Sequence, residues 1–219
     1  MRKFTTLFIV ACLLALPAAA AEIYTYDWAD GNADYLGCFD LNSVAEVSVA
    51  FNRPGSAGSG LKITKAVSGG GYSLGFLAAV WDLQPGDEVT VSLWRYDNST
   101  AMPYFRLWAH YNNGLSETED ARGQDMQVND GNCQGNNSFG LQNGWERFSH
   151  TWTVAAGNTG LIIDAVVYGD RNDYMYIDDL AITVPDHASV RLPNAIYPAG
   201  GSPTPADAST WSSVKAIFQ

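Results

Sequence analysis

The chain has 219 residues, of which 47% are hydrophobic, and 23 acidic residues against 12 basic ones give it a formal net charge of −11. Such an acidic surface repels phosphate backbones and anionic lipids, which excludes nucleic acid and membrane surfaces as preferred partners and leaves neutral ligands and cations. After the N-terminal apolar run, no segment approaches the roughly 18 consecutive apolar residues that a membrane-spanning helix requires.

Residues 1–21 have the layout of a secretory signal peptide. Arg2 and Lys3 form a basic start, residues 4–16 are an apolar run, and small residues end near Ala21. The sequence therefore predicts an exported protein, secreted or attached to the cell surface. The segment that ends at Cys12 resembles a lipoprotein cleavage box and leaves a lipid anchor open as an alternative.

Two cysteines, Cys38 and Cys133, follow the predicted leader. In an exported protein an even pair is typical of one disulfide, and neither residue belongs to a CxxC or zinc-ligand pattern. The sequence therefore predicts a disulfide between Cys38 and Cys133 that joins two loops.

Residues 22–186 consist of short strand-forming runs separated by Gly, Asn, Asp and Pro. Short runs with turn signals at close intervals predict an all-β fold, a two-sheet antiparallel β-sandwich. The main runs are residues 60–64, 72–83, 87–96, 103–111, 145–154, 161–169 and 174–184.

The composition changes after the last of these runs. Residues 187–208 are rich in Pro, Ala, Gly and Ser, which predicts a linker. In residues 209–219 apolar residues recur at helical spacing after a Ser/Thr start, which indicates a short amphipathic tail. This tail either serves in docking, sorting or self-association at the cell surface, or lies as a short helix on its own domain.

Two of the predicted strands, residues 87–96 and 103–111, alternate in character. Their odd positions are mostly aliphatic and are expected to face the core, while their even positions carry rings and hydrogen-bonding groups. A short loop joins the two strands, so we expect them to pair as a hairpin and to gather the even positions into one patch. The patch consists of Trp94, Tyr96, Tyr104, Arg106, Trp108 and His110.

Flat rings interleaved with hydrogen-bonding groups suit a sugar. The axial C–H faces of a sugar stack on an aromatic ring, while its hydroxyl groups require planar donors and acceptors, which Arg106 and His110 could supply. We therefore predict that the patch binds a polysaccharide or another glycan. The alternative is that Trp94 and Trp108 are buried under a loop or in a second core layer.

Four segments, in their order and at their separations, resemble the carbohydrate-binding modules with the galactose-binding-like jelly-roll fold. They are SAGSGLKIT (56–64), DLQPGDEVTVSLW (82–94), GWERFSHTWTVAAGNTGLIIDAVV (144–167) and YIDDLAIT (176–183). The likeness covers roughly residues 24–184. It implies a two-sheet sandwich, a structural calcium ion, and a ligand site on the concave sheet or in the loops at one edge.

The resemblance also implies where the calcium ion would bind, because in this family the ion joins the first strand to the last. Asp27 stands where the family usually has Glu, and Asp178 lies at the margin of the core, where a hard cation with oxygen ligands is a natural partner. We therefore predict a calcium site formed by Asp27 and Asp178, then Asp179, with backbone carbonyls near Gly58. The alternatives are a solvated acidic strand end or a salt bridge to Lys or Arg.

These observations together predict an exported, non-catalytic carbohydrate-binding module with a structural calcium ion. The alternative is a structural or adhesive subunit of the cell surface that uses the same sandwich for protein contacts. The segment Gly71–Gly75 matches the GxSxG motif of hydrolases, but an apolar run and a turn follow it. Because that motif needs a turn from a strand into a helix, a hydrolase is disfavoured.

Overall fold

The computed structural model describes residues 20–33, 36–38, 46–56, 58–65, 73–97, 105–116, 132–136, 144–200 and 204–205. Within these ranges all regular structure is β-strand, and no helix could cross a lipid bilayer. The strands are β1 (Ala21–Tyr26), β2 (Gly37–Cys38), β3 (Glu46–Phe51), β4 (Gly60–Thr64), β5 (Ser73–Trp81), β6 (Glu88–Asp97), β7 (Phe105–Tyr111), β8 (Asn132–Asn136), β9 (Trp145–Thr153), β10 (Leu161–Val167), β11 (Tyr174–Pro185), β12 (Ser189–Leu192), β13 (Ala195–Tyr197) and β14 (Thr204–Pro205).

The strands form two antiparallel sheets. Sheet 1 has the order β3-β4-β11-β6-β9, and β1 also pairs with β11. Sheet 2 has the order β14-β13-β12-β5-β10-β7-β8, and β2 also pairs with β5. This architecture confirms the predicted all-β, two-sheet sandwich.

The core lies between the sheets and follows the alternation of the strands. The odd positions of β6 from residue 89 to 95 and those of β7 are buried, and Val91 and Leu107 are 0% exposed. The predicted inward face of both strands is therefore confirmed. On the outer side of sheet 2, a smaller apolar cluster of Leu36, Phe76, Ala79 and Ile162 covers part of the sheet. As a result, all seven residues of β10 are buried.

The predicted hairpin of β6 and β7 is wrong. Strand β6 pairs with β11 and β9 in sheet 1, whereas β7 pairs with β10 and β8 in sheet 2. Consecutive strands thus belong to opposite sheets. A short connection predicts that two strands are close along the chain, but it does not determine that they exchange hydrogen bonds.

The predicted linker over residues 187–208 is also wrong in its first half. Within it, β12 pairs with β5 and β13 pairs with β12 in sheet 2. Val190 and Leu192 are fully buried in the main core. The Pro and Gly content of this segment belongs to turns between strands, and the alternating apolar residues indicate its structure better than its composition does.

The order of sheet 2 contradicts the predicted disulfide. Cys38 lies on β2, next to β5, and Cys133 lies on β8, next to β7. Strands β5, β10 and β7 therefore separate the two cysteines, which corresponds to about 19 Å across the sheet at the usual strand spacing. A disulfide requires Cα atoms within roughly 7 Å, so these two residues cannot be bridged in this fold.

Strand β11 contains an irregularity that shapes its surroundings. One edge of β11 pairs with β4 along residues 174–177 and with β1 along residues 180–185. Between the two paired segments, the pairing of β11 with β6 shifts register after Asp178. The backbone of Asp179 is left-handed there, with φ 48°. The bulge leaves a gap between the ends of β1 and β4, and the loops that follow β1 and β3 meet there.

Candidate functional site

Of the six residues predicted to form one patch, the five that the structure describes are divided between the two outer sides of the sandwich. Trp94 and Tyr96 are on β6 and point out of sheet 1, whereas Arg106 and Trp108 are on β7 and point out of sheet 2. Tyr104 lies outside the described residues. Because two packed sheets are about 10 Å apart, the single predicted patch is wrong, and the two groups of residues form separate faces.

The sheet-2 face consists of Arg106, Trp108, His110, Asp164 and Tyr168. The guanidinium carbon of Arg106 lies 4.6 Å from the ring centroid of Tyr168 and 5.6 Å from that of Trp108. Strands β7 and β10 place Asp164 directly across from Trp108. Arg106, Trp108 and Tyr168 are only partly buried. The face therefore presents two rings with a cation between them.

His110 and Asp164 form a buried pair beside this row. His110 is 5% exposed and Asp164 is 0% exposed. His110 Nε2 lies 2.8 Å from Asp164 Oδ2, but the alignment is poor, so neither atom has a well-formed hydrogen bond among the described residues. Burial raises the pKa of Asp164 to about 6, and the contact with His110 opposes this rise. The sequence predicted that His110 contacts the ligand. In this conformation its side chain is buried and cannot do so.

We expect replacement of Asp164 by asparagine to change how stability depends on pH. Burial raises the pKa of Asp164 from 3.8 to about 6. The protonated carboxyl favours the folded state. Its contribution to the free energy of unfolding is fully present below about pH 4 and is lost as the pH rises through about 6. Asparagine does not titrate. Between about pH 4 and 6, the wild type should therefore lose stability relative to Asp164→Asn. Urea denaturation should show the difference in free energy of unfolding rise by up to about 3 kcal/mol in favour of the variant.

The matched control for this experiment is Glu88→Gln, because Glu88 is exposed at the start of β6. Its difference from the wild type should stay within about 0.5 kcal/mol at every pH. A difference between Asp164→Asn and the wild type that is constant from about pH 4 to 7 would show that Asp164 does not titrate in this range.

The sheet-1 face carries an aromatic cluster of Phe51, Tyr96, Trp145 and Tyr176. Phe51 is 41% exposed. Its ring centroid lies 4.7 Å from that of Tyr176 and 5.7 Å from that of Trp145, on which it stacks with an interplanar angle of 7°. Burial raises the pKa of Tyr176. Of these four residues, the sequence pattern indicated only Tyr96, because the other rings come from three further strands and only sheet pairing brings them together.

The residues predicted to bind calcium lie near the bulge of β11. Asp27 is exposed, and its Oδ1 accepts a hydrogen bond of 3.1 Å from the backbone N–H of Ala29. Asp178 is 0% exposed. Its Oδ2 accepts from the backbone N–H of Arg53 at 3.0 Å, and its Oδ1 accepts from that of Asp179 at 2.8 Å. Burial raises the pKa of Asp178, and these backbone donors oppose the rise.

Asp179 has a cationic partner within the chain. Its Oδ2 accepts a hydrogen bond of 3.0 Å from Arg53 Nε and forms an ion pair with Arg53 Nη2, while its Oδ1 accepts from Ser56 Oγ at 3.3 Å. The guanidinium carbon of Arg53 also lies 4.7 Å from the ring centroid of Trp94. The predicted alternative, a salt bridge, is therefore the arrangement observed at Asp179.

The loop after β3 does approach the loop after β1, as the resemblance implied. A Cβ atom built on Gly58 would lie 2.4 Å from Ala29 Cα, so the two backbones are in close contact there. Nevertheless, the described part of the chain contains no group of three or more His, Cys, Asp or Glu side chains that could hold a metal ion. Because a guanidinium contacts the carboxylate of Asp179, this residue does not fit a calcium shell in the observed arrangement.

Comparison with protein-family models finds no match, and comparison with curated proteins finds none either. Among solved structures, the chain is similar to the CBM22-1 xylan-binding domain of Paenibacillus barcinonensis Xyn10C, with a TM-score of 0.51 and 13% identity over 77% of this chain and 97% of that domain. It is also similar to the CBM22-1-CBM22-2 tandem domain of the same protein, with a TM-score of 0.51 and 14% identity over 78% of this chain and 47% of that one. The chain therefore has the β-sandwich fold of carbohydrate-binding modules.

Proposed function

We propose that the chain is an exported, non-catalytic module that binds a polysaccharide through the sheet-2 face. The observation that supports this proposal is the row of Tyr168, Arg106 and Trp108, in which a guanidinium lies between two partly exposed rings. The rings offer flat surfaces to the C–H faces of sugar units. The guanidinium offers fixed, planar donors to hydroxyl groups.

The surroundings of this row favour a rigid site. Arg106 and Trp108 project from β7, whose neighbour β10 is buried along its whole length. Asp164 lies across from Trp108 and contacts His110, so a buried polar pair adjoins the ring. Side chains that stand on packed strands lose little conformational entropy on binding, which favours affinity.

The charge of the chain narrows the ligand class. A formal net charge of −11 disfavours polyanionic glycans, so we propose a neutral polysaccharide. Two solved structures with a similar fold contain a xylan-binding domain or the tandem of which it is part. Xylan is therefore the first candidate to test. Export is proposed from the layout of residues 1–21, which lie outside the described residues.

Binding of soluble hexasaccharides tests this proposal. Isothermal titration of the wild type with xylohexaose, cellohexaose and mannohexaose should show saturable binding to at least one of them. Replacing Trp108 by alanine removes the largest ring of the row and should weaken that binding by at least about tenfold.

The matched control is Trp145→Ala, which removes a ring of the same type from the opposite face. It should leave the affinity for the hexasaccharide within about twofold of the wild type. Thermal unfolding of both variants has to show that each is folded. Absence of binding to every glycan, or unchanged binding by Trp108→Ala, would contradict the proposal.

A structural or adhesive role remains a second candidate because of exposed apolar residues. Ile23 on β1 is 67% exposed and Phe51 on β3 is 41% exposed, and both belong to sheet 1. Such residues favour contacts with another protein or another copy of the chain. Light scattering of the wild type and Ile23→Ser over a range of concentrations distinguishes the two roles, because only self-association depends on Ile23.

A further inference from the structure

A cavity of about 400 Å³ opens on the outer side of sheet 1, at the gap between the ends of β1 and β4. Its wall is built by separate elements: Asp27 follows β1, Trp94 comes from β6, Arg147 from β9, and Asp179 from the bulge of β11. This volume lies within the range of about 300–1,000 Å³ that is usual for small-molecule sites. Because the sandwich lies between them, this cavity is separate from the sheet-2 face.

The cavity combines one aromatic ring with convergent polar groups. Trp94 is partly buried, and the guanidinium of Arg53 packs over its ring at 4.7 Å from the centroid, so a ligand contacts the part of the indole that lines the cavity. Arg147 is exposed and donates through Nη2 to Ser92 Oγ at 3.2 Å, which leaves its other N–H groups for a ligand. Asp27 uses Oδ1 for Ala29 N–H, so its Oδ2 is available as an acceptor.

The charges of the wall select a ligand that is neutral and has both donors and acceptors. An anion would meet the carboxylate of Asp27 and a cation would meet the guanidinium of Arg147, whereas the carboxylate of Asp179 is already paired with Arg53. A purely apolar ligand would leave these groups dehydrated without partners, which is unfavourable. A sugar unit satisfies all of them, because it offers hydroxyl groups to the charged side chains and a C–H face to Trp94.

We propose that this cavity is a second carbohydrate site, which binds a single neutral sugar unit by stacking on Trp94, with Arg147 and Asp27 bonding its hydroxyl groups. Asp27, in the loop that follows β1, bounds the cavity on one side. The proposal shares its ligand class with the proposed function but does not depend on the sheet-2 face. A chain with both sites could connect two glycans across the sandwich.

Titration of the full-length protein with simple glycosides tests the second site. The probes are the methyl glycosides of xylose, glucose, galactose and mannose, and the signal is the indole ¹H–¹⁵N resonance of Trp94, assigned by its loss in Trp94→Phe. At least one glycoside should shift this resonance saturably. Arg147→Ala, a change at an exposed position, should weaken that binding by at least about tenfold because it removes a charged donor.

Trp108→Ala serves as the matched control, because it removes a ring from the sheet-2 face and should leave the shift at Trp94 unchanged. Binding at Trp94 that survives Arg147→Ala and Asp27→Asn unchanged would overturn the proposal, as would the absence of a saturable shift with all four probes. Loss of hexasaccharide binding in Trp108→Ala, measured separately, reports on the sheet-2 face only. The failure of one site is thereby distinguished from the failure of the other.

Discussion

Replacement of Glu146 by alanine is expected to lower the free energy of unfolding by about 3–5 kcal/mol, because it removes the carboxylate that faces a buried guanidinium. Arg95 is 2% exposed and occupies an inward position of β6. Its Nε donates to Glu146 Oε1 at 2.7 Å, and its Nη1 donates to the backbone carbonyl of Phe105 at 3.1 Å. One side chain therefore connects the two sheets.

The packing around Arg95 increases the expected loss. Its guanidinium carbon lies 3.5 Å from the ring centroid of Phe148 and 5.7 Å from that of Phe105, so apolar rings surround the charge. Removing one member of a buried pair is costly because the remaining charge stays dehydrated. The loss should appear as a lower midpoint in urea with an unchanged slope.

Arg95→Met provides the matched control for Glu146→Ala. Methionine fills much of the same volume without a charge, and Glu146 is 24% exposed in its side chain, so water can reach the carboxylate that remains. Arg95→Met should therefore destabilise the protein less than Glu146→Ala does, and the double variant should recover part of the loss of Glu146→Ala. Equal losses in both single variants would show that the contacts of Arg95, rather than its buried charge, determine the effect.

The second large effect is expected for Asp178→Ala, with a loss of about 2–5 kcal/mol. The substitution deprives the part-buried backbone N–H groups of Arg53 and Asp179 of their acceptor, and a hydrogen bond to a charged group contributes roughly 1.5–3 kcal/mol. Asp27→Ala is the control, because this exposed carboxylate belongs to the same predicted metal set. Its loss should stay below about 1 kcal/mol. Urea unfolding of both variants measures the difference.

The same variants test the predicted calcium ion. Since Arg53 already contacts Asp179, we expect the melting temperature of the wild type to be the same in millimolar calcium and in a chelator. A calcium-dependent rise that is lost in Asp178→Ala would contradict this expectation and would support the calcium site predicted from the resemblance.

The alternation of residues along single strands was sufficient to predict much of the fold. It predicted that Val91 and Leu107 face the core and that Trp94 and Trp108 face outward, because side-chain direction in a strand has a period of two and is a local property. The order of the four segments that resemble carbohydrate-binding modules also predicted the two-sheet sandwich. Alternation could not show that β6 and β7 belong to different sheets, since strand pairing is decided by contacts between distant segments.

The partners of individual side chains were decided only by the tertiary structure. The acidic pair at residues 178–179 is visible in the sequence, but Arg53, which pairs with Asp179, lies 126 residues earlier in the chain. His110 follows the outward pattern, and yet it is buried, because Ile162 of the second apolar cluster lies directly across from it on β10. Sequence therefore determined which residues could form a site, whereas long-range packing decided which of them meet, because burial and ion pairing depend on neighbours that are remote along the chain.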